Sequence, residues 1–258
     1  MFLADLHIHS TFSDGKLTIP EIVDLYGSCG FGAIAITDHL REAGTLFGRA
    51  ARYLEKTLTL STFPLYQAIL SSEAERAWKQ YRMVLIPGVE FCKDSFFHHR
   101  AAHILAIGLT HFLPAKLSVV DLARNIRGLG ALAVAAHPVS IRRLSHQTHY
   151  LWDQREELAA EFDAWEVASG PYLFTEVANT RLPKLANSNF HCLKHINSWK
   201  TAFECEKHPE SILEAIRKQE LKFKFYYREK GHDLMDWVDA STLGHGDRSS
   251  GIRDLVNY

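Results

Sequence analysis

A chain of 258 residues, 47% hydrophobic and 23% charged, has the make-up of a globular protein and is long enough to bury a large core without disulfides or a structural metal. Its 29 basic and 30 acidic residues leave a formal charge of -1, which excludes a strong overall field for nucleic acid or an anionic membrane. Histidine stands out: there are 15, as many as the glycines.

Residues 2–7 read as a short apolar strand, and 18–29 as a helix with Ile19, Ile22, Val23 and Tyr26 on one stripe, Pro20 in its first turn and Gly30 behind it. Residues 32–37 (GAIAIT) predict a buried strand with Asp38 and His39 just beyond it. The stretch 43–82 reads as mostly helical, broken near 61–64. Strands follow at 83–90 (MVLIPGVE) and 102–107 (AHILAI), an amphipathic helix at 117–129, and a strand at 131–136 (ALAVAA) that runs into His137 and Pro138. A strand at 164–167, a shorter one at 182–187 and a helix at 209–219 complete the series, and the pattern of the last forty residues is ambiguous.

Near-continuous apolar strands that alternate with helices imply a parallel sheet covered on both faces. About seven such units favour a (β/α) barrel over an open sheet, and no GxGxxG follows the first strand. In such a barrel the chemistry sits at the C-terminal ends of the strands. His7, His9, Asp38, His39, Glu90, His137 and Glu166 fall there, with His103 unexpectedly early in its strand.

His7 and His9 are two apart on a strand, so both imidazoles face the same way, as a divalent ion requires. Asp5 is expected to share that face and to hold the far nitrogen of a liganding histidine. The turn Ser13-Asp14-Gly15 presents a carboxylate beside them, and Glu90 ends an apolar strand where an unpaired carboxylate would be costly to bury. The four cysteines have no CxxC spacing and read as reduced thiols. No apolar run approaches the roughly 18 residues of a spanning helix, and the charged, histidine-rich start is unlike a secretory signal, so a cytoplasmic location away from membranes is expected.

The segments DLHIHSTFSDG (5–15), ITDH (36–39), GVE (88–90), HILAIG (103–108), AHP (136–138) and NSNFH (187–191) together resemble the PHP (polymerase and histidinol phosphatase) family of metal-dependent phosphoesterases, over residues 3 to about 218. The resemblance implies a distorted (β/α)7 barrel, a single domain over 1–258 with 220–258 as an extension packed on it. It also implies two or three divalent ions, of zinc, manganese or iron, at the C-terminal rim. His7, His9 and Glu90 would hold the first ion; Glu90, His103 and His137 the second; Asp14, His39 and His191 the third. Asp38 and Glu166 have no place in this ligand set, which leaves them supporting roles. The family motif usually reads Ser-Asp-x-His, whereas this chain has Ser188-Asn189-Phe190-His191. Asn189 offers the first ion an amide oxygen that carries no charge and takes up no proton at neutral pH. Glu90, Asn189 and His191 are the residues expected nearest the chemistry. The continuation His191 to Thr201, H-x-x-K-H-x-x-S-W-K-T, resembles a bacterial subgroup of the family.

The implied activity is hydrolysis of a phosphomonoester or nucleotide-type substrate, with inorganic phosphate as a product and no obligate protein partner. Arg142 and Arg143, after His137, and Lys194 and His195, after the last motif, are the candidates to hold phosphate oxygens. Trp152, Trp165 and Trp199 are expected in the core. The alternatives are a nuclease acting on nucleic-acid ends, which the near-neutral charge disfavours, and a catalytically weakened metal-binding module, suggested by Asn189.

Overall fold

The computed structural model describes residues 1–54, 56–139, 148–229 and 232–238; Arg142 and Arg143 lie outside them. The chain begins with β1 (Phe2–Ile8), α1 (Ile19–Ser28), β2 (Ala33–Ile36) and a short β3 (His39–Arg41). Two helices, α2 (Leu46–Tyr53) and α3 (Phe63–Tyr81), precede the long β4 (Val84–Lys93). Next come β5 (Ala102–Ile107), α4 (Val119–Gly128), β6 (Leu132–Ala136), α5 (Tyr150–Asp153), α6 (Arg155–Leu158) and β7 (Ala164–Ser169). The remainder is β8 (Tyr172–Leu173), α7 (Thr175–Ala178), β9 (Lys184–Asn187), β10 (Ser198–Phe203), α8 (Pro209–Lys218), β11 (Leu221–Glu229) and β12 (His232–Val238). No helix among the described residues is long and apolar enough to cross a membrane.

Local chemistry accounts for the helix starts that the sequence marked. Thr18 accepts a hydrogen bond from the Glu21 N–H (3.4 Å), while Glu21 Oε2 accepts one from the Thr18 N–H (2.8 Å), a reciprocal cap at the head of α1. Ser118 caps α4 with its side chain alone, accepting from the Asp121 N–H (3.1 Å). β2 (AIAI) and β6 (LAVAA) are buried at every residue, as expected of strands covered on both faces.

One mixed sheet carries the strands. β1, β2 and β4 are parallel neighbours, as are β6, β7 and β9. β5 joins the two sets and runs antiparallel to both β4 and β6. The sheet curls: beyond β9, Phe190 forms a parallel bridge to Ile8, with the Phe190 N–H on the His7 carbonyl (3.0 Å) and the His9 N–H on the Phe190 carbonyl (2.8 Å). β10, β11 and β12 continue from β1 as antiparallel strands, which gives 221–229 and 232–238 a place in the sheet.

β5 departs from the regular strand–helix repeat expected of the sequence. The link from β4 holds only a single helical turn at His98–Arg100, too short for the crossover that a parallel neighbour needs. The reversal explains His103, which sits at the start of β5 and therefore at the same rim as the ends of the other strands, opposite Cys92 of β4 and Ala136 of β6. The stretch 43–82 is mostly helical, as expected, but its break is longer and starts earlier, since α2 ends at Tyr53 and α3 begins only at Phe63. Trp165 and Trp199 are buried in the core, and Trp152 packs against it from the edge.

A buried ion pair ties β1 to β10. Lys200 and Asp5 are both inaccessible, with Nζ 3.2 Å from Oδ2. Asp5 also accepts hydrogen bonds from the Tyr26 hydroxyl (2.6 Å) and from the Ser188 N–H (3.0 Å). Lys200 further donates to the Ile196 carbonyl and to Ser198 Oγ. Removing the cation leaves a carboxylate buried with only neutral donors, so Lys200→Met is expected to cost about 3 kcal/mol or more, read as a lower midpoint in urea unfolding. An unchanged midpoint would contradict this anchoring role.

Candidate metal centre

At the rim, alternation along β1 turns His7 and His9 inward, as the sequence predicted. Glu90 of β4 is the hub, with no exposed surface. Its Oε2 lies 3.4 Å from His7 Nε2, 3.3 Å from His9 Nε2 and 2.8 Å from His39 Nδ1. Its Oε1 lies 3.0 Å from His103 Nδ1 and 3.2 Å from His137 Nε2. Beside this group, Asp14 Oδ1 is 3.4 Å from His39 Nε2 and 3.2 Å from His191 Nε2, and the His191 ring stacks on His9 at 4.2 Å. The loop that carries Asp14 is held by Asp38, which accepts hydrogen bonds from the Ser10 N–H and from the hydroxyls of Ser10 and Ser13. A Cβ at Gly15 would lie 2.2 Å from the His9 carbonyl oxygen, so only glycine lets this loop close on β1.

The outer nitrogens show which way each imidazole is wired. His7 Nδ1 donates to Glu166 Oε1 (2.9 Å) and His191 Nδ1 to the Asn189 carbonyl (2.9 Å). The Thr148 hydroxyl donates to the His137 carbonyl (2.8 Å), so it accepts from His137 Nδ1 (2.9 Å). In all three the proton sits on Nδ1 and the Nε2 lone pair faces the carboxylates. Acceptor therefore meets acceptor across 3.2 to 3.4 Å, an arrangement stable only with cations or extra protons between them. His7 Nε2, both nitrogens of His9, Asp14 Oδ1, His39 Nε2, Glu90 Oε2 and Asn189 Oδ1 are all buried without a hydrogen-bond partner. Among the described residues four groups, His9–Asp14–His39–His191, His7–Glu90–His137, His39–Glu90–Cys92 and Cys92–Asp94–His103, bring one atom per residue within 4.8 Å of each other. Nitrogen and oxygen donors in this number suit divalent transition metals.

The family profile of the PHP domain matches residues 5–218. The chain belongs to the PHP domain family. The phosphoribosyl 1,2-cyclic phosphate 1,2-diphosphodiesterase of Eggerthella lenta is 25% identical over 147 residues, which are 55% of this chain and 46% of that protein. In fold, the PHP domain is similar to a two-domain protein of Bacteroides vulgatus containing a predicted PHP-like metal-dependent phosphoesterase. The TM-score is 0.66 and the identity 21%, covering 87% of this chain and 64% of that one. The chain spans about half the length of the curated relative it matches.

Supporting contacts in the PHP domain correct one expectation and add residues that the sequence reading missed. Asp5 does not hold a histidine, because its oxygens are taken by Tyr26, Ser188 and Lys200 deeper in the sheet. Glu166 does that work: besides His7 it accepts from the His137 N–H (2.7 Å) and from Asn187 Nδ2 (2.9 Å). Asp94 accepts from His103 Nε2 (3.3 Å) and is ion-paired with Arg41. Arg41 could have been found by alternation, as it lies on the same face of β3 as His39, and Asp94 follows directly on the end of β4. Thr148, eleven residues from His137, left no such signal. Asn189 has φ +50°, a left-handed conformation that asparagine tolerates. His195 accepts from the His191 N–H (3.1 Å), and Lys194 is exposed beside it.

Burial opposes a charge on His7, but Glu166 and Glu90 outweigh it and raise its pKa to about 10. Burial, with His191 and His39 beside it, holds His9 well below its usual value. Burial likewise disfavours the Glu90 carboxylate, yet His7, His103 and His39 pull its pKa well below the usual range. Protons on imidazole thus occupy the place that cations would take. Because the His7 pKa is raised, that ring is protonated at pH 7 and must lose its proton to act as a ligand. Zinc or manganese uptake at pH 7 is therefore expected to release protons, with apparent affinity rising with pH until about 10. Calorimetric titration in two buffers of different ionisation enthalpy measures the release, and identical heats would refute it.

Proposed function

We propose that this PHP domain is a phosphoric ester hydrolase that acts on a small phosphorylated molecule, a phosphomonoester or nucleotide-type compound. The observation that carries the reading is the convergence of buried, partnerless nitrogen and oxygen atoms on Glu90 and Asp14. His7, His9, Glu90 and Asn189 would hold a first divalent ion; Glu90, His103 and His137 a second; Asp14, His39 and His191 a third. Such ions lower the pKa of water and neutralise charge that develops on a phosphoryl group. Glu90 sets the spacing of the first two positions, because its two oxygens face different sets of imidazoles.

The remaining residues orient this set and admit the substrate. Glu90, His7, His9 and His103 are at most 1% exposed in their side chains, whereas His191 and Asp14 are 24% and 36% exposed. The substrate therefore reaches the centre from the Asp14–His191 side, where Lys194 lies exposed at the rim to meet a phosphate oxygen and His195 steadies the His191 backbone. Arg142 and Arg143, which follow His137 in the chain, are candidates for the same task. We read 1–258 as one domain, with 220–258 an extension on it; within that extension β11 and β12 continue the sheet outward, and 230–231 and 239–258 lie outside the described residues. The similarity to the Eggerthella lenta enzyme makes a cyclic phosphodiester of a sugar the second candidate substrate.

Turnover of p-nitrophenyl phosphate and of its bis-ester, with manganese or zinc added to metal-free protein, tests the reading. A His9→Ala/His137→Ala variant is expected to be inactive, and equal rates in the two proteins would remove the hydrolase reading. Preference for the bis-ester would favour a diester substrate. Asn189→Asp adds a charged ligand, so it is expected to tighten ion binding and to raise turnover about tenfold under limiting metal. No change on that substitution would count against a ligand role for Asn189. A fully loaded protein that cleaves no ester would point instead to a metal-binding regulatory module.

A further inference from the structure

Cys92 belongs to none of the motifs that mark the centre, yet it lies against it. It is inaccessible, on the same face of β4 as Glu90, opposite Arg41 of β3 and His103 of β5. Its Sγ is 3.0 Å from His39 Nδ1 and 3.7 Å from the Glu90 carbonyl oxygen. Glu90 Oε2 is nearer to Nδ1, at 2.8 Å, but makes no hydrogen bond with it, so the N–H points at the sulfur. A thiol that donates to a carbonyl and accepts from an imidazole Nδ1–H repeats the wiring of Thr148 around His137, with sulfur in place of oxygen.

We propose that Cys92 is a positioning residue: its thiol holds the outer nitrogen of His39 and so presents Nε2 to the position where Asp14 and His191 would bind the third ion. This rests on the metal-centre reading above. The buried, partnerless His39 Nε2, 3.4 Å from Asp14 Oδ1, is the atom that the contact orients. Outer partners of liganding histidines fix their tautomer and ring angle, and losing one typically weakens metal binding about 10–100-fold. Direct ligation by the sulfur is the competing arrangement, since Sγ also lies within 4.8 Å of donor atoms of His39 and Glu90 and of Asp94 and His103, and the cobalt spectrum below separates the two.

Cobalt(II) titration of metal-free protein, with bound metal counted by elemental analysis, tests the proposal without using activity. Asp14→Asn and His39→Ala identify which binding step belongs to the third position. Cys92→Ala is expected to weaken that step about 10–100-fold, and Cys92→Ser, which keeps a hydroxyl acceptor, to hold it within about threefold. In the His39→Ala background, Cys92→Ala should weaken the third binding step no further, since the thiol reaches that position through this ring. Circular dichroism of the metal-free variants shows that they remain folded. Cobalt-loaded wild type should lack a near-ultraviolet thiolate-to-cobalt charge-transfer band. A band abolished by Cys92→Ser would make Cys92 a ligand and overturn the proposal. So would unchanged affinity in Cys92→Ala, equal losses in the serine and alanine variants, or a further loss in the His39→Ala background. A wild type that binds no ion would sink the metal-centre reading itself, and this inference with it.

Discussion

Glu90 is a carboxylate without solvent contact, ringed by His7, His9, His39, His103 and His137. An anion taken out of water survives in the folded state only if positive charge lies against it. In the protein alone, that charge comes from protons held on the imidazoles, and in the loaded protein it would come from divalent ions. Strand order, loop anchoring and the outer hydrogen bonds can all be understood as means of bringing those rings to one carboxylate and holding them with their lone pairs turned inward.

The holding is done largely by groups that never reach the centre. Glu166 couples His7 to the His137 backbone, so β1 and the end of β6 are set by one carboxylate. Asp38 folds the 10–15 loop over His9, and Asp5 with Lys200 pins Ser188 at the start of the segment that ends in His191. Each of these polar groups is buried and satisfied, so each restricts the main chain to one position. A cluster supported this way is preorganised: the ring angles are set by the protein's own contacts.

The bacterial relatives fit this account at the level of fold and family, and the chain adds its own variations. An amide stands at position 189, where the family usually has a carboxylate, so this position carries no negative charge. The same residue takes up a left-handed backbone conformation that asparagine accommodates readily. Cys92 and Asp94 extend the polar face of β4 beyond Glu90, toward Arg41 and His103.

Much of the centre was legible in the amino-acid order, because two-residue alternation on a strand and the burial cost of a charge after an apolar run are local properties. His7, His9, Glu90 and His137 could be read as inward-facing strand-end residues for that reason, and the chain of motifs extended the set to Asp14, His39, His103 and His191. The partners of these residues were not legible. That Asp5 is spent on Lys200 while Glu166 serves His7, that β5 runs backward and so lifts His103 to the rim, and that Cys92 meets His39, all depend on register between strands far apart in the chain. Periodicity says which face a side chain occupies, but only the assembled sheet decides what stands opposite it.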